Sequence, residues 1–292
     1  MRKLGVVALA LAVAALPAVA QQRVDEKRPA GKDGVVEIRN VAGSVRVTGW
    51  DREEVAVTGT LGQGTERLEF SGSGNRTLVK VVLPHNARHV DGSELEIKVP
   101  AGSSLDVETV SADITAEKVS GSLRLQSVSG GVTVGGEPKE FNVKTVSGEV
   151  AVTATNAPGK AKSVSGAVTL QGVSGAVEAS SVSGSLVVKG GEVSRVEMET
   201  TSGSIRFDAQ LAKGGRLDVK SMSGSVDLIL PAGVAADFDV TTFSGEITND
   251  FGPAAHRTSE YGPGKELSFS TGGGGARVVA KSFSGSVYLK KR

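Results

Sequence analysis

Val128-Ser129-Gly130 returns as Val146-Ser147-Gly148, Val164-Ser165-Gly166 and Val182-Ser183-Gly184, each time eighteen residues on. Val110-Ser111-Ala112 precedes them at the same spacing. Thr201-Ser202-Gly203, Met222-Ser223-Gly224, Phe243-Ser244-Gly245 and Phe283-Ser284-Gly285 follow. Counted at the third residue, the gaps are 18, 18, 18, 18, 19, 21, 21 and 40. The last gap is about two periods and reads as a missing or disguised copy. A fixed period near twenty residues is the signature of a repeat architecture.

Alignment on the glycine sorts the other positions. Five residues earlier stand Val107, Leu125, Val143, Ala161, Ala179, Met198, Val219, Val240 and Ala280. Two residues later stand Ile114, Val132, Val150, Val168, Leu186, Ile205, Val226, Ile247 and Val287. Four later the column is again mostly apolar, with Phe207, Leu228 and Leu289 near its end. Apolar residues at a step of two, with polar residues between, mean strands with one buried face. Carried through the glycine, the alternation also turns the column two before it inward, from Val110 to Phe283. The glycines (Gly43, Gly130, Gly148, Gly166, Gly184, Gly203, Gly224, Gly245, Gly285) then mark corners, where the freedom of Gly to take positive φ is useful.

Half a period away a second set of turn signals appears: Val119-Ser120-Gly121, Glu137-Pro138, Ala157-Pro158-Gly159, Val173-Ser174-Gly175, Gly190-Gly191, Gly214-Gly215 and Pro231-Ala232-Gly233. Gly and Pro punctuate turns. Two corners per period predict an all-β chain, a β-solenoid (β-helix) with coils of 18–21 residues and two strands per coil.

The 292 residues carry a net charge of +1, which favours neither a nucleic acid nor an anionic membrane as partner. There is no Cys, so no disulfide, thiolate metal site or cysteine nucleophile. Residues 1–20 read as a secretory signal peptide: Arg2 and Lys3, an apolar run Leu4–Leu16, and Ala18-Val19-Ala20 as a cleavage site. Their removal, taking Arg2 and Lys3 away, shifts the net charge from +1 to −1. Export to a bacterial periplasm or cell surface follows as the expectation.

Residues 21–33 read as a polar lead-in, disordered or short, and 34–292 as one domain. Its first coils are irregular, with strands near Val55–Val57, Leu68–Phe70, Leu78–Leu83 and Leu95–Val99, as expected where a repeat stack is capped. Residues 249–264, polar and with two prolines, read as a protruding loop or hairpin that explains the long gap.

Three phrases carry a resemblance: Val41-Ala-Gly-Ser-Val-Arg-Val-Thr-Gly-Trp-Asp51, Leu105-Asp-Val-Glu-Thr-Val-Ser-Ala-Asp-Ile114 and Ser282-Phe-Ser-Gly-Ser-Val-Tyr-Leu289. With the signal peptide and the Ser-Gly repeats, they make residues 34–290 similar to a bacterial family of exported candidate adhesins. That family is a domain of unknown function, similar to the head domains of autotransporter adhesins. The resemblance implies a β-solenoid and supplies no catalytic motif.

Candidate chemistry is sparse. His85, His89 and Asp91 offer nitrogen and oxygen ligands of the kind zinc uses, but in a loop after Pro84 rather than at helical spacing. His256 stands alone. Nothing resembles a nucleophile elbow. Asp113, Glu149 and Glu246 share one offset but are interrupted by Gly131, Ala167 and Ser185. The Gly run within 271–276 precedes no helix pattern, so it is no phosphate loop. No catalytic, cofactor or metal residue is assigned.

The most regular polar feature is a double hydroxyl column. Three before the glycine stand Thr109, Ser127, Thr145, Ser163, Ser181, Thr200, Ser221, Thr242 and Ser282. One before it stand Ser129, Ser147, Ser165, Ser183, Ser202, Ser223, Ser244 and Ser284. Both columns are expected to face outward, capping turns or presenting a hydroxyl array to a repetitive surface. The sequence reading is a non-enzymatic, adhesin-like binding or structural module of the cell envelope, with a glycan or an envelope protein as partner and specificity in loops 84–92 and 249–264. A polysaccharide-active enzyme is the alternative, and ice binding a third.

Overall fold

The computed structural model describes residues 22–85, 90–260 and 262–292. Among the described residues there is no helix, and twenty-three strands join in one sheet system. The expected signal segment lies outside the described residues.

Each central repeat supplies two short strands, as in Ser122–Gln126 with Val132–Gly136, then Glu140–Lys144 with Val150–Ala154. Strands of successive repeats pair in parallel with like positions adjacent: Leu123 beside Phe141, and Val132 beside Val150. The longer repeats keep this match, with Val177 beside Val196 and Val196 beside Leu217. Their extra residues go into register shifts between Lys189 and Glu192 and between Val193 and Arg195.

The alternating columns explain the core. Val107, Leu125, Val143 and their successors are buried, as are Ile114, Val132 and Val150. Volumes compensate between layers. Gly159 lies beside Phe141, and a Cβ on Gly159 would meet the Phe141 ring. The large ring fills space that the neighbouring layer leaves empty, as close packing requires.

At the Ser-Gly corner the alternation breaks, and two expectations are corrected. The column two before the glycine is exposed: Val110, Val128, Val146, Val164, Val182, Met222, Phe243 and Phe283 stand 43–55% open. The column three before it is buried in all nine copies, Thr109 to Ser282. Backbone bonding is the reason. The Gly130 amide donates to Ser127 Oγ (2.9 Å), and the Gly166 amide to Ser163 Oγ (2.8 Å). The Ser163 hydroxyl donates in turn to the Gly148 carbonyl of the layer below (3.3 Å). A buried backbone N–H must find an acceptor, so the hydroxyl turns inward and the apolar residue after it turns out.

The glycines are also needed for a different reason than expected. Of the nine predicted corners only Gly43 (φ 105°) and Gly224 (φ 127°) take positive φ. At Gly148, Gly166 and Gly184 a Cβ would collide with the carbonyl of the glycine in the adjacent layer. Close stacking, rather than left-handed backbone, excludes a side chain. Positive φ concentrates at the opposite corner, at Lys118, Gly136, Asn156, Gly172 and Gly190.

The layers do not follow chain order at the C-terminal end. Leu217 lies beside Val278, and Val278 beside Phe238. The last repeat, 276–291, is therefore inserted between 216–230 and 236–249. The long gap arises because strand Lys265–Thr271 first pairs antiparallel with the far side of Ala236–Ser244. The chain then doubles back into the slot. At the other end, strand Val35–Trp50 has Ser104–Glu117 on one side and Arg76–Val82 with Ser93–Pro100 on the other. Antiparallel strands Glu54–Leu61, Arg67–Ser73 and Gln22–Pro29 close this end. The segment read as a polar lead-in thus includes a strand whose charged side chains discourage edge-to-edge pairing.

Candidate binding groove

The first strand of each repeat presents its outward residues on one long face. There the parallel register lines up Asp106, Arg124, Asn142, Lys160, Glu178 and Glu197 on successive layers. A cavity of about 650 Å³ runs along this column, with Phe141 and Val177 among its apolar lining residues. A second, of about 350 Å³, continues from Glu197 past Arg216, Asp218, Lys220 and Arg277. The two share Glu197, so the groove crosses most of the stack.

Charges in the groove are mixed. Lys160 Nζ lies 2.8 Å from Glu178, which also pairs with Lys162. These two ammonium groups, Lys160 first, hold the Glu178 carboxyl below the usual range, and Glu178 raises Lys160 in return. Arg216 bonds Asp218 (2.8 Å) and lowers its carboxyl in the same way. The larger cavity is lined by three basic and four acidic side chains, so it carries no strong field of either sign. Two features are left over. Asn142 Oδ1 is buried with no hydrogen-bond donor among the described residues. Arg124 and Arg195, which line the same cavity, have no carboxylate within ion-pair distance among the described residues. Buried polar atoms in native proteins nearly always have a partner.

The sequence candidates lie elsewhere. Ser129, Ser147, Ser165, Ser183, Ser202, Ser223, Ser244 and Ser284 are exposed beside the apolar ridge of the Ser-Gly corner. The buried hydroxyls three before each glycine serve the fold; Ser221 Oγ and Ser282 Oγ lack a partner where the last repeat is inserted. His85 is exposed, and His89 lies outside the described residues together with part of loop 84–92. His256 Nε2 is 2.9 Å from Glu266. Asp113 accepts the Gly131 amide at 2.8 Å, and Glu246 pairs with Lys265. Among the described residues no three His, Asp or Glu side chains gather as metal ligands. The groove went unrecognised in the sequence because its charged column alternates as any solvated strand face does. The spacing that raises the column was legible; its concavity was not.

Fold and groove together define an all-β protein of parallel-stacked repeats with a polar groove across the layers. It belongs to the Toastrack DUF4097 family, whose model matches residues 35–289. Among solved structures it is similar to a candidate adhesin from Bacteroides fragilis, at 11% identity and a TM-score of 0.48, over 92% of this chain and 98% of that one. It is also similar to a candidate cell adhesion protein from Clostridium sporogenes, at 9% identity and a TM-score of 0.28, over 93% and 100%. No curated protein matches the chain. No helix among the described residues is long and apolar enough to cross a membrane.

Proposed function

We propose that this chain is an exported, non-enzymatic binding module of the bacterial cell envelope, a single β-solenoid over 34–292 with two strands per coil, whose groove holds a neutral glycan. The groove along the stacked first strands carries this reading, with the two uncommitted arginines, Arg124 and Arg195, in its lining. Layers repeat about every 4.8 Å, close to the length of one sugar ring in an extended chain. Successive hydroxyl groups would meet successive layers, and many weak contacts would add. The balance of acids and bases suits a hydroxyl-rich neutral chain better than a polyanion. The basic and apolar start of the sequence, residues 1–20, supports export.

Binding of the mature chain to neutral and acidic envelope polysaccharides tests the reading, with release of reducing ends followed alongside. Neutral-glycan binding that falls at least tenfold in Arg124→Ala and in Arg195→Ala is expected, with no sugar released. Binding unchanged in both variants would remove the groove from the function, and sugar release would make the protein an enzyme.

A further inference from the structure

The column that the Ser-Gly corner turns outward forms a continuous line, apolar except at Thr201. In spatial order it begins with the half-buried Val41 and continues through Val110, Val128, Val146, Val164, Val182, Thr201, Met222, Phe283 and Phe243. Over ten layers its length is about 43 Å at the usual spacing between strands. The Phe283 and Phe243 rings stack 4.9 Å apart. Eight apolar side chains about half exposed leave on the order of 600 Å² of apolar surface, the upper limit of what a monomer ordinarily shows. With its flanks, the line approaches the roughly 800 Å² per partner of a specific interface. It is a convex edge, and neither cavity is lined by its residues. A small ligand has nothing to enter.

We propose that this ridge is the interface of a two-fold dimer in which two copies meet ridge to ridge, running antiparallel. Size is the first argument. The ridge tapers, with valines at one end and Met222, Phe283 and Phe243 at the other. Antiparallel overlap of all ten layers sets Phe243 against Val41, Phe283 against Val110 and Met222 against Val128, large against small, and brings the similar-sized Val146 and Thr201, and Val164 and Val182, together at the centre. Parallel overlap would set large against large and leave the valine end apart.

Charge is the second argument, and it is independent of size. An antiparallel two-fold brings the column two residues before the ridge against itself. In spatial order that column reads Arg39, Glu108, Gln126, Lys144, Lys162, Ser180, Glu199, Lys220, Lys281 and Thr241. Reversed on itself it sets Lys144 against Glu199 and Glu108 against Lys281, and no two like charges face each other. A slip of one layer sets Lys144 against Lys220. Lys144, Glu199 and Lys281 have no ion pair among the described residues of their own chain. The exposed serines meet serines on the other flank. An isologous, self-complementary surface is what a two-fold dimer requires.

The chain has no cysteine, so one introduced thiol reports its own position. In the antiparallel dimer Val164→Cys sits beside the two-fold axis and should cross-link on oxidation. Val110→Cys should not, because its copies lie about 34 Å apart along the ridge at the usual strand spacing. Sedimentation of the mature chain should show a dimer that Val164→Asp with Val182→Asp converts to monomer, at an unchanged far-UV spectrum. Lys144→Glu should weaken the dimer at least tenfold, and Lys144→Glu with Glu199→Lys should restore it. A wild-type monomer across the concentration range overturns the proposal, as does a dimer indifferent to the aspartates. Equal cross-linking at both cysteines, or no restoration by the charge exchange, overturns the antiparallel register.

Discussion

The Ser163 hydroxyl and the Gly166 amide are joined by a buried hydrogen bond of 2.8 Å, and the same hydroxyl reaches the Gly148 carbonyl at 3.3 Å. One side chain thus closes its own corner and ties it to the layer below. Ser163→Ala leaves a buried N–H and a buried C=O each short of a partner, at a cost of about 1–3 kcal/mol. The exposed Ser165→Ala should change stability by no more than about 0.5 kcal/mol. Urea denaturation of the two variants beside wild type separates them, and equal midpoints would contradict the corner as described.

Gly166→Ala probes stacking distance. The added Cβ meets the Gly148 carbonyl oxygen, and that backbone is held between layers and cannot withdraw. A loss of about 3 kcal/mol or more is expected, at or beyond the top of the usual range for overpacking. Gly233→Ala, where a Cβ meets nothing within 4 Å, should stay within about 0.5 kcal/mol of wild type. Thermal unfolding of both tests whether space, rather than glycine content, matters.

Acid should act through Glu178. Lys160 and Lys162 hold its folded carboxyl below the ordinary value. Its contribution is therefore present above the unfolded carboxyl's pKa and disappears as pH falls through the lowered folded one. Wild type should be the more stable protein at neutral pH, and its advantage over Glu178→Gln should vanish in strong acid. A stability difference between the two that is constant from neutral to acid pH would show that the ion pairs contribute nothing.

Deleting residues 276–292 should expose strands on both sides of the vacated slot. Hydrogen exchange is expected to accelerate across 216–230 and 236–249 while 122–171 stays protected. In repeat stacks each unit leans mainly on its neighbours. Protection kept in 216–230 and 236–249 would contradict the observed order of layers.

Most of the layer-to-layer register could be read from the sequence. Leu125, Val143 and Ala161 recur at one offset, and Ile114, Val132 and Val150 at another, and both sets are buried. The reading failed where the strand rule was carried into a corner. Val128 is as apolar as Val132, and nothing in its identity says that it faces water. A signal was nevertheless available: an unbroken hydroxyl column three residues before a glycine has the spacing of a side chain that bonds the glycine amide. The position of the last repeat was illegible for another reason. Its sequence fits beside 236–249 whichever side it takes, and only pairing of Leu267 and Phe269 with Val240 and Phe238 on the far side decides that it goes in between. The groove depends on curvature, which periodicity does not carry.

The inserted last repeat has a consequence for biosynthesis. Residues 276–291 leave the ribosome after 216–230 and 236–249, yet their place is between those two layers. The stack cannot be completed by simple addition from the N-terminus. Either 236–249 waits undocked, or it docks early and must reopen. A chain stopped short of its final repeat would carry two bare strand edges facing each other, shaped to accept the same segment from another molecule. Completion of the barrier against such exchange is thus deferred until 276–291 have been made, and a product truncated before them would be marked by the edges it could not cover.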